Sequence, residues 1–158
     1  MNAKSFKRLV NIYPPFLGAG VRVRSAAPDF RHIRVEMRLR WYNRNYVGTH
    51  FGGSLYSMVD PFYMLMLMQV LGPDYIVWDQ AARIAFLRPG RGTLHADFHL
   101  TEADLAAIHT HTVSGGKYRP QFVVEIRDLE EEMVARVEKT LYVRRRNQSD
   151  LDPSPRSR

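Results

Sequence analysis

The 158-residue chain has no cysteine. That excludes disulfides, thiolate metal sites and a cysteine nucleophile together, and it is compatible with a reducing, cytoplasmic setting. No uncharged apolar run reaches about 18 residues, so no membrane-spanning helix is expected. The opening stretch MNAKSFKRLVNIYPP sets too many charges around too short an apolar run for a signal peptide. Internal repeats are absent, and no recognised nucleic-acid-binding motif accompanies the net charge of +7. Position explains much of that charge. The tail from Arg144, RRRNQSDLDPSPRSR, sets five arginines against Asp150 and Asp152, and other arginines alternate with apolar residues as on a solvated strand face. Nucleic acid is therefore not an expected partner, whereas a small anionic ligand is.

What is present reads as one globular domain. Hydrophobic residues make up 45% of the chain and charged residues 25%, enough apolar surface for a substantial core. A flexible basic tail is expected over 144–158, leaving a single domain over 1–143. Phe6, Leu9, Val10 and Tyr13 recur at helical spacing, predicting a short helix from Ala3 until Pro14 and Pro15 stop it. A strand follows over 21–26. Strict alternation from Arg31 to Trp41 then predicts a second, with Ile33, Val35, Met37, Leu39 and Trp41 on one face. Ser54 to Leu71 is apolar almost all round, which predicts a long core helix enclosed on every side. Four more strands are predicted, at 76–88, 94–101, 118–127 and 133–144. EADLAAIHTHT, in the middle of these, reads equally as helix or as continuing strand. The plan is α+β, an antiparallel sheet curved around one central helix. One sheet covers one side of that helix, so burial alone calls for a second copy of the chain on the other.

Chemistry concentrates in NYVGTHFGGSLYSMVDPF, residues 45–62. The glycine-bearing loop delivers the chain into a helix N-terminus, where unpaired backbone N–H groups favour developing negative charge. A thioester or ester carbonyl suits that place, and Gly52 and Gly53 let a substrate approach the backbone closely. Equally, a glycine pair makes an ordinary turn into a helix. Asp60 carries the same duality. Before Pro61 it is a favourable N-cap for a helix restarting there, and as a carboxylate among apolar residues it should be paired or used. In a continuous helix Asp60 lies about 10 Å along the axis from Gly53, too far to serve a carbonyl held there. Two antiparallel helices in a dimer bring each Asp60 toward the other chain's glycines, giving two composite sites.

Asn45-x-x-Gly48-Thr49-x-Phe51-Gly52-Gly53, followed by Ser57-Met58-Val59-Asp60, resembles the hot-dog-fold acyl-CoA thioesterase signature: N-x-x-G-x-x-H-G-G, then a small residue, two apolar residues and D. IAFLRPGRGTLHADFHL and VVEIRDLEEEMVARVEKTLYV are similar to the family's later strands, so the likeness spans Val21 to Val143. It looks closest to a thioesterase-like branch some of whose members are labelled tetrameric acyl-CoA thioesterase. The resemblance implies hydrolysis of an acyl-CoA-type small molecule in a homodimer, in some members a dimer of dimers, with no cofactor. It implies that Asn45 orients the thioester or the water and that the Gly52 and Gly53 amides form the oxyanion hole. Asp60, reaching across from the other subunit, is then general base or nucleophile, and Asp79 falls near a small polar residue that steadies the attacking water.

The family's histidine position is Phe51 here, with His50 just before it as a substitute. That departure opens an alternative, a protein of the same fold that binds acyl-CoA or an acylated carrier without turnover. Met58 and Met64 are candidates to line an acyl groove beside Phe51, and Arg88 and Arg91 to meet CoA phosphates. His95 with His99, and His109 with His111, have metal-like spacing without converging carboxylates, so no metal is expected.

Overall fold

A computed structural model describes residues 1–147 and residue 150. The first helix, α1 (Ala3–Asn11), is capped by the Asn2 side chain accepting from the Ser5 amide at 2.8 Å, and buries Phe6 and Val10. Leu9 and Tyr13, expected on the same face, are more than half exposed. Pro14 and Pro15 both stop α1 and start α2 (Pro14–Ala19), because the first helical position needs no N–H. Gly20 ends α2 at φ 79°, and a Cβ there would stand 2.5 Å from Asn43 Nδ2.

Six strands follow: β1 (Val21–Ala26), β2 (His32–Arg38), β3 (Tyr75–Phe86), β4 (Thr93–His99), β5 (Gln121–Arg127) and β6 (Met133–Arg145). They form one curved antiparallel sheet in the order β1-β2-β4-β5-β6-β3. Alternation turns Ile33, Val35 and Met37 of β2 and Leu94, Ala96 and Phe98 of β4 inward, every one fully buried. The β2 pattern runs out sooner than its alternation suggests. At Arg38 the chain leaves the sheet, and Trp41 ends 82% exposed. Pro120, without an N–H, delays β5 to Gln121, and Tyr118 joins Val143 through an isolated bridge instead. The ambiguous EADLAAIHTHT is a helix, α5 (Glu102–Thr112), fixed by a reciprocal capping box between Thr101 and Asp104. At the other end β6 runs through Arg145, into the expected tail, most of which lies outside the described residues. Among the described residues no helix is long and apolar enough to cross a membrane.

The central helical segment fills the concave side of the sheet as two pieces, α3 (Gly52–Ser57) and α4 (Phe62–Leu71). Pro61 accounts for the break, since its ring lacks the N–H that a continuous helix would direct at Ser57 and crowds that carbonyl. Leu55, Met58, Val59, Phe62, Tyr63, Met66 and Leu67 are at most 4% exposed, and Phe62 packs between the rings of Phe16 and Phe98 at 5.6 and 5.1 Å. Met68 stays 46% exposed, so a single chain does not enclose the segment completely.

The start of α3 is positioned by one buried side chain. Asn43, 2% exposed, donates from Nδ2 to the carbonyls of Ala19 and Arg38 and accepts the Arg40 amide on Oδ1, while its own carbonyl takes the Phe51 amide at 3.0 Å. Replacing it by alanine strands two buried carbonyls and an amide. Asn43→Ala is expected to lower the stability measured by urea unfolding by about 2–3 kcal/mol, whereas Asn45→Ala, in the more exposed loop beyond, costs less than half of that.

Candidate functional site

Along β6, Val137, Lys139, Leu141 and Val143 share the inward face, which drives a lysine into the core with a side chain 0% exposed. A buried ammonium needs compensation in charge and hydrogen bonds. Lys139 finds both. Its Nζ donates to Asp60 Oδ1 at 3.0 Å and to the Tyr56 hydroxyl at 3.4 Å, and lies 5.3 Å from the Tyr56 ring centroid. Asp79 Oδ1 stands 2.9 Å away and completes the ion cluster.

Local structure places each member. Asp60 sits in the break between α3 and α4 with its amide on the Tyr56 carbonyl at 2.9 Å. The helix does restart after the break, but Pro61 occupies the N-cap position of α4 and no side chain caps it, so the Asp60 carboxylate is left for Lys139. Asp79 immediately precedes a register shift in β3, a bulge that re-aims the side chains around it. Burial pushes the Asp79 carboxyl above its ordinary pKa, with Lys139 drawing it partly back and Asp60 adding to the rise. Burial alone would lower the Lys139 pKa, but its carboxylate partners reverse the sign and hold it above the usual value, so it stays an ammonium. Burial also raises the Tyr56 phenol, with Asp60 contributing, and keeps it protonated. Two members of the cluster, Tyr56 and Asp79, line a groove of about 430 Å³ with Gln80, Ala81, Ala82 and Ile84 of β3, which is an edge strand among the described residues.

The glycine end of the segment is a second locus. Gly52 and Gly53 are the first two residues of α3, whose amides have no intrahelical acceptor, and Phe51 at the N-cap position supplies no side-chain cap. Aromatic rings roof both. A Cβ on Gly53 would fall 2.4 Å from the Phe51 ring, and one on Gly52 3.2 Å from the ring of Phe86. Asn45, His50, Gly52, Phe86 and Arg88 border a cleft of about 470 Å³ here, distinct from the Asp79 groove but flanking the same strand.

Several side chains in this cleft are already committed. Asn45 Oδ1 accepts the amides of Val47 and Thr49, and Nδ2 donates to Thr49 Oγ1 at 2.9 Å, so the residue shapes its own loop. His50 is 3% exposed and bonds the Gly92 carbonyl through Nε2 at 3.0 Å, which puts the proton on that nitrogen. Burial lowers its pKa, the Gly92 bond opposing, and its buried Nδ1 has no partner among the described residues. Arg88 is paired with Asp128 and, at 3.7 Å, with Glu132. Arg91 is exposed. Met58 is fully buried and lines neither cleft, while Met64 is half-buried.

The sequence thus singles out Asp60 and Asp79, which the fold brings together, and misses the lysine that joins them. The signal was present, because Lys139 falls in register with Val137, Leu141 and Val143 in an alternating strand. The histidines with metal-like spacing are engaged separately. His95 faces Glu131 at 3.3 Å, His109 bonds the Tyr75 hydroxyl at 2.9 Å, and His111 stacks on Tyr118. On the outer face of the sheet His32, Asp97 and His99 stand close together, one nitrogen or oxygen of each within 4.8 Å of the others.

Comparison with known proteins matches residues 2–143 to a family described as a domain of unknown function, DUF4442. No curated protein matches the chain. Among solved structures it is similar to PA5026 of Pseudomonas aeruginosa, a protein of unknown function and probable thioesterase, at 18% identity and a TM-score of 0.79 over 90% of this chain and 95% of that one. It is similar to the thioesterase HI1161 of Haemophilus influenzae at 15% identity and a TM-score of 0.67, covering 90% of each. The PaaI protein of the phenylacetic acid degradation operon of E. coli matches at 19% identity and a TM-score of 0.63, over 91% of this chain and 92% of that one. The shared architecture is the hot-dog fold.

Lys139→Met tests the ion cluster. Without the ammonium, two carboxylates face each other half-buried, and stability at pH 7.5 is expected to fall by about 3 kcal/mol. The Asp79 pKa, raised already, rises further in the variant, so its neutral form is favoured and the penalty appears as pH climbs through it. Urea unfolding at pH 4 should recover about half of the loss, and an equal deficit at both pH values would contradict the ion-cluster account.

Proposed function

The chain belongs to the DUF4442 family, and on that premise we propose that it hydrolyses an acyl thioester of the acyl-CoA type at sites shared between two copies of itself. The observation that carries this reading is the Asp60–Lys139–Asp79 cluster, one buried cation between two carboxylates, of which Asp79 lines a groove. In hydrolysis, Asp60 takes a proton from water as the water oxygen attacks the carbonyl carbon. The oxyanion collects at the Gly52 and Gly53 amides of the other copy, where each donor is worth about 3–4 kcal/mol. Collapse breaks the C–S bond and leaves one carboxylic acid and one thiol. Lys139 holds the Asp60 carboxylate in place at 3.0 Å, and Asp79 shares the same ammonium.

The edge strand supports the assembly. A strand of 12 residues with one side unpaired, carrying Trp78 and Phe86 more than half exposed, is a surface that soluble proteins ordinarily cover. Pairing two copies along β3 covers it and sets each chain's Asp79 groove near the other's glycine cleft. Binding of an acyl-CoA or acylated carrier without turnover is the second reading. It is favoured by Phe51, whose ring lies over Gly53 where a thioesterase of this fold keeps a histidine.

Thiol release from a panel of acyl-CoAs separates the two, and with no cysteine the protein adds no background. Turnover is expected, reduced about 10²- to 10⁴-fold in Asp60→Asn with the assembly intact. Calorimetric binding with no thiol release at any chain length would sink the hydrolase in favour of the binder. Sedimentation is expected to give a dimer or a dimer of dimers, and a stable soluble monomer would remove the shared site.

A further inference from the structure

The outer face of the sheet carries a second constellation, unrelated to the groove. In the register of β2 with β4, His32 stands directly opposite His99 and Arg34 opposite Asp97, and all four have the parity opposite to the inward Ile33 and Val35. The two imidazoles stack with centroids 4.3 Å apart and planes 8° from parallel. His32 Nε2 lies 2.8 Å from Asp97 Oδ1. One ligand atom from each of His32, Asp97 and His99 falls within 4.8 Å of the other two.

We propose that His32, Asp97 and His99 bind a divalent transition-metal ion of the Zn²⁺ class. Ligands of a tetrahedral Zn²⁺ at bonds near 2.0–2.1 Å stand about 3.3 Å apart, so side-chain rotations that open the 2.8 Å His32–Asp97 contact slightly and bring the remaining atoms at most about 1.5 Å closer complete the set. The stacked rings are half-buried and exposed rather than locked in the core, which leaves them that freedom. Two imidazole nitrogens and one carboxylate oxygen suit Zn²⁺, Ni²⁺ or Cu²⁺ and not the all-oxygen preference of Mg²⁺ or Ca²⁺. The ion takes the place of the His32–Asp97 hydrogen bond, and water fills the remaining coordination position.

The carboxylate is held for this role. Arg34 donates to Asp97 Oδ2 at 2.8 Å, fixing the group while leaving Oδ1 toward the histidines, the arrangement by which outer-shell partners orient a ligand. A bound ion clamps β2 to β4 from outside the core, so its binding energy adds to the stability of that strand pair. Sequence spacing hides the site, since His99 is matched by a histidine on another strand and not by His95 in its own.

Equilibrium dialysis of the full chain without a tag, at pH 7.5 against micromolar to sub-millimolar Zn²⁺, is the test. One ion per chain is expected, with a rise in melting temperature reversed by EDTA and no competition from excess Mg²⁺. His99→Ala and Asp97→Asn should each weaken binding by more than about tenfold, and Arg34→Met by about tenfold. His111→Ala, at an exposed helix position, should leave it unchanged. Absence of Zn²⁺ binding by the unaltered protein overturns the proposal, and so does binding that survives both His99→Ala and Asp97→Asn. In either case the cluster is a stacked histidine pair hydrogen-bonded to a carboxylate.

Discussion

A cation inside an apolar core has few stable arrangements, and the one adopted around Lys139 ties together three elements that the chain builds separately. The strand β6 brings the ammonium, the break in the central helix brings Asp60, and the bulge in β3 brings Asp79. The fully buried ammonium is costly without the two half-buried carboxylates beside it. The requirement runs outward from there. The break must stay where Pro61 puts it, and β3 must keep its extra residue, or the charges separate.

The glycine end obeys a different constraint, that of hydrogen-bond satisfaction. Asn43 settles the loop that leads into α3, Asn45 closes the turn beyond it, and His50 is stitched to the segment around Gly92. The two glycine amides remain uncommitted at the entrance of the helix while almost everything around them is tied down. Polar groups that are free in a rigid setting are preorganised ones, and this loop spends several buried side chains on that rigidity.

Much of this was legible in the sequence, and what was not has physical reasons. Alternation located the strands because one face of each is buried, and the apolar run located the central segment because it is buried on most sides. The end of β2 was misjudged since Trp41 continues the alternation after the backbone has left the sheet, and periodicity carries no information about where pairing stops. The capping box at Thr101 and Asp104 was available to decide in favour of α5. Asp60 is singled out by a motif and Asp79 by its place in the resemblance, whereas Lys139 requires taking the alternation of β6 literally even where it places a charge inside. The juxtaposition of His32 with His99 depends on the register of two distant strands, which no local pattern encodes.

The unpaired side of β3 also bears on how the chain is made. A newly folded copy presents a ladder of free backbone donors and acceptors twelve residues long, bordered by aromatic side chains. Until something pairs with it, that edge accepts a strand from any source, including an unfolded neighbour. The chance of such a mispairing rises with the concentration of unfolded chains, so the rate at which the protein is synthesised becomes part of its physical chemistry.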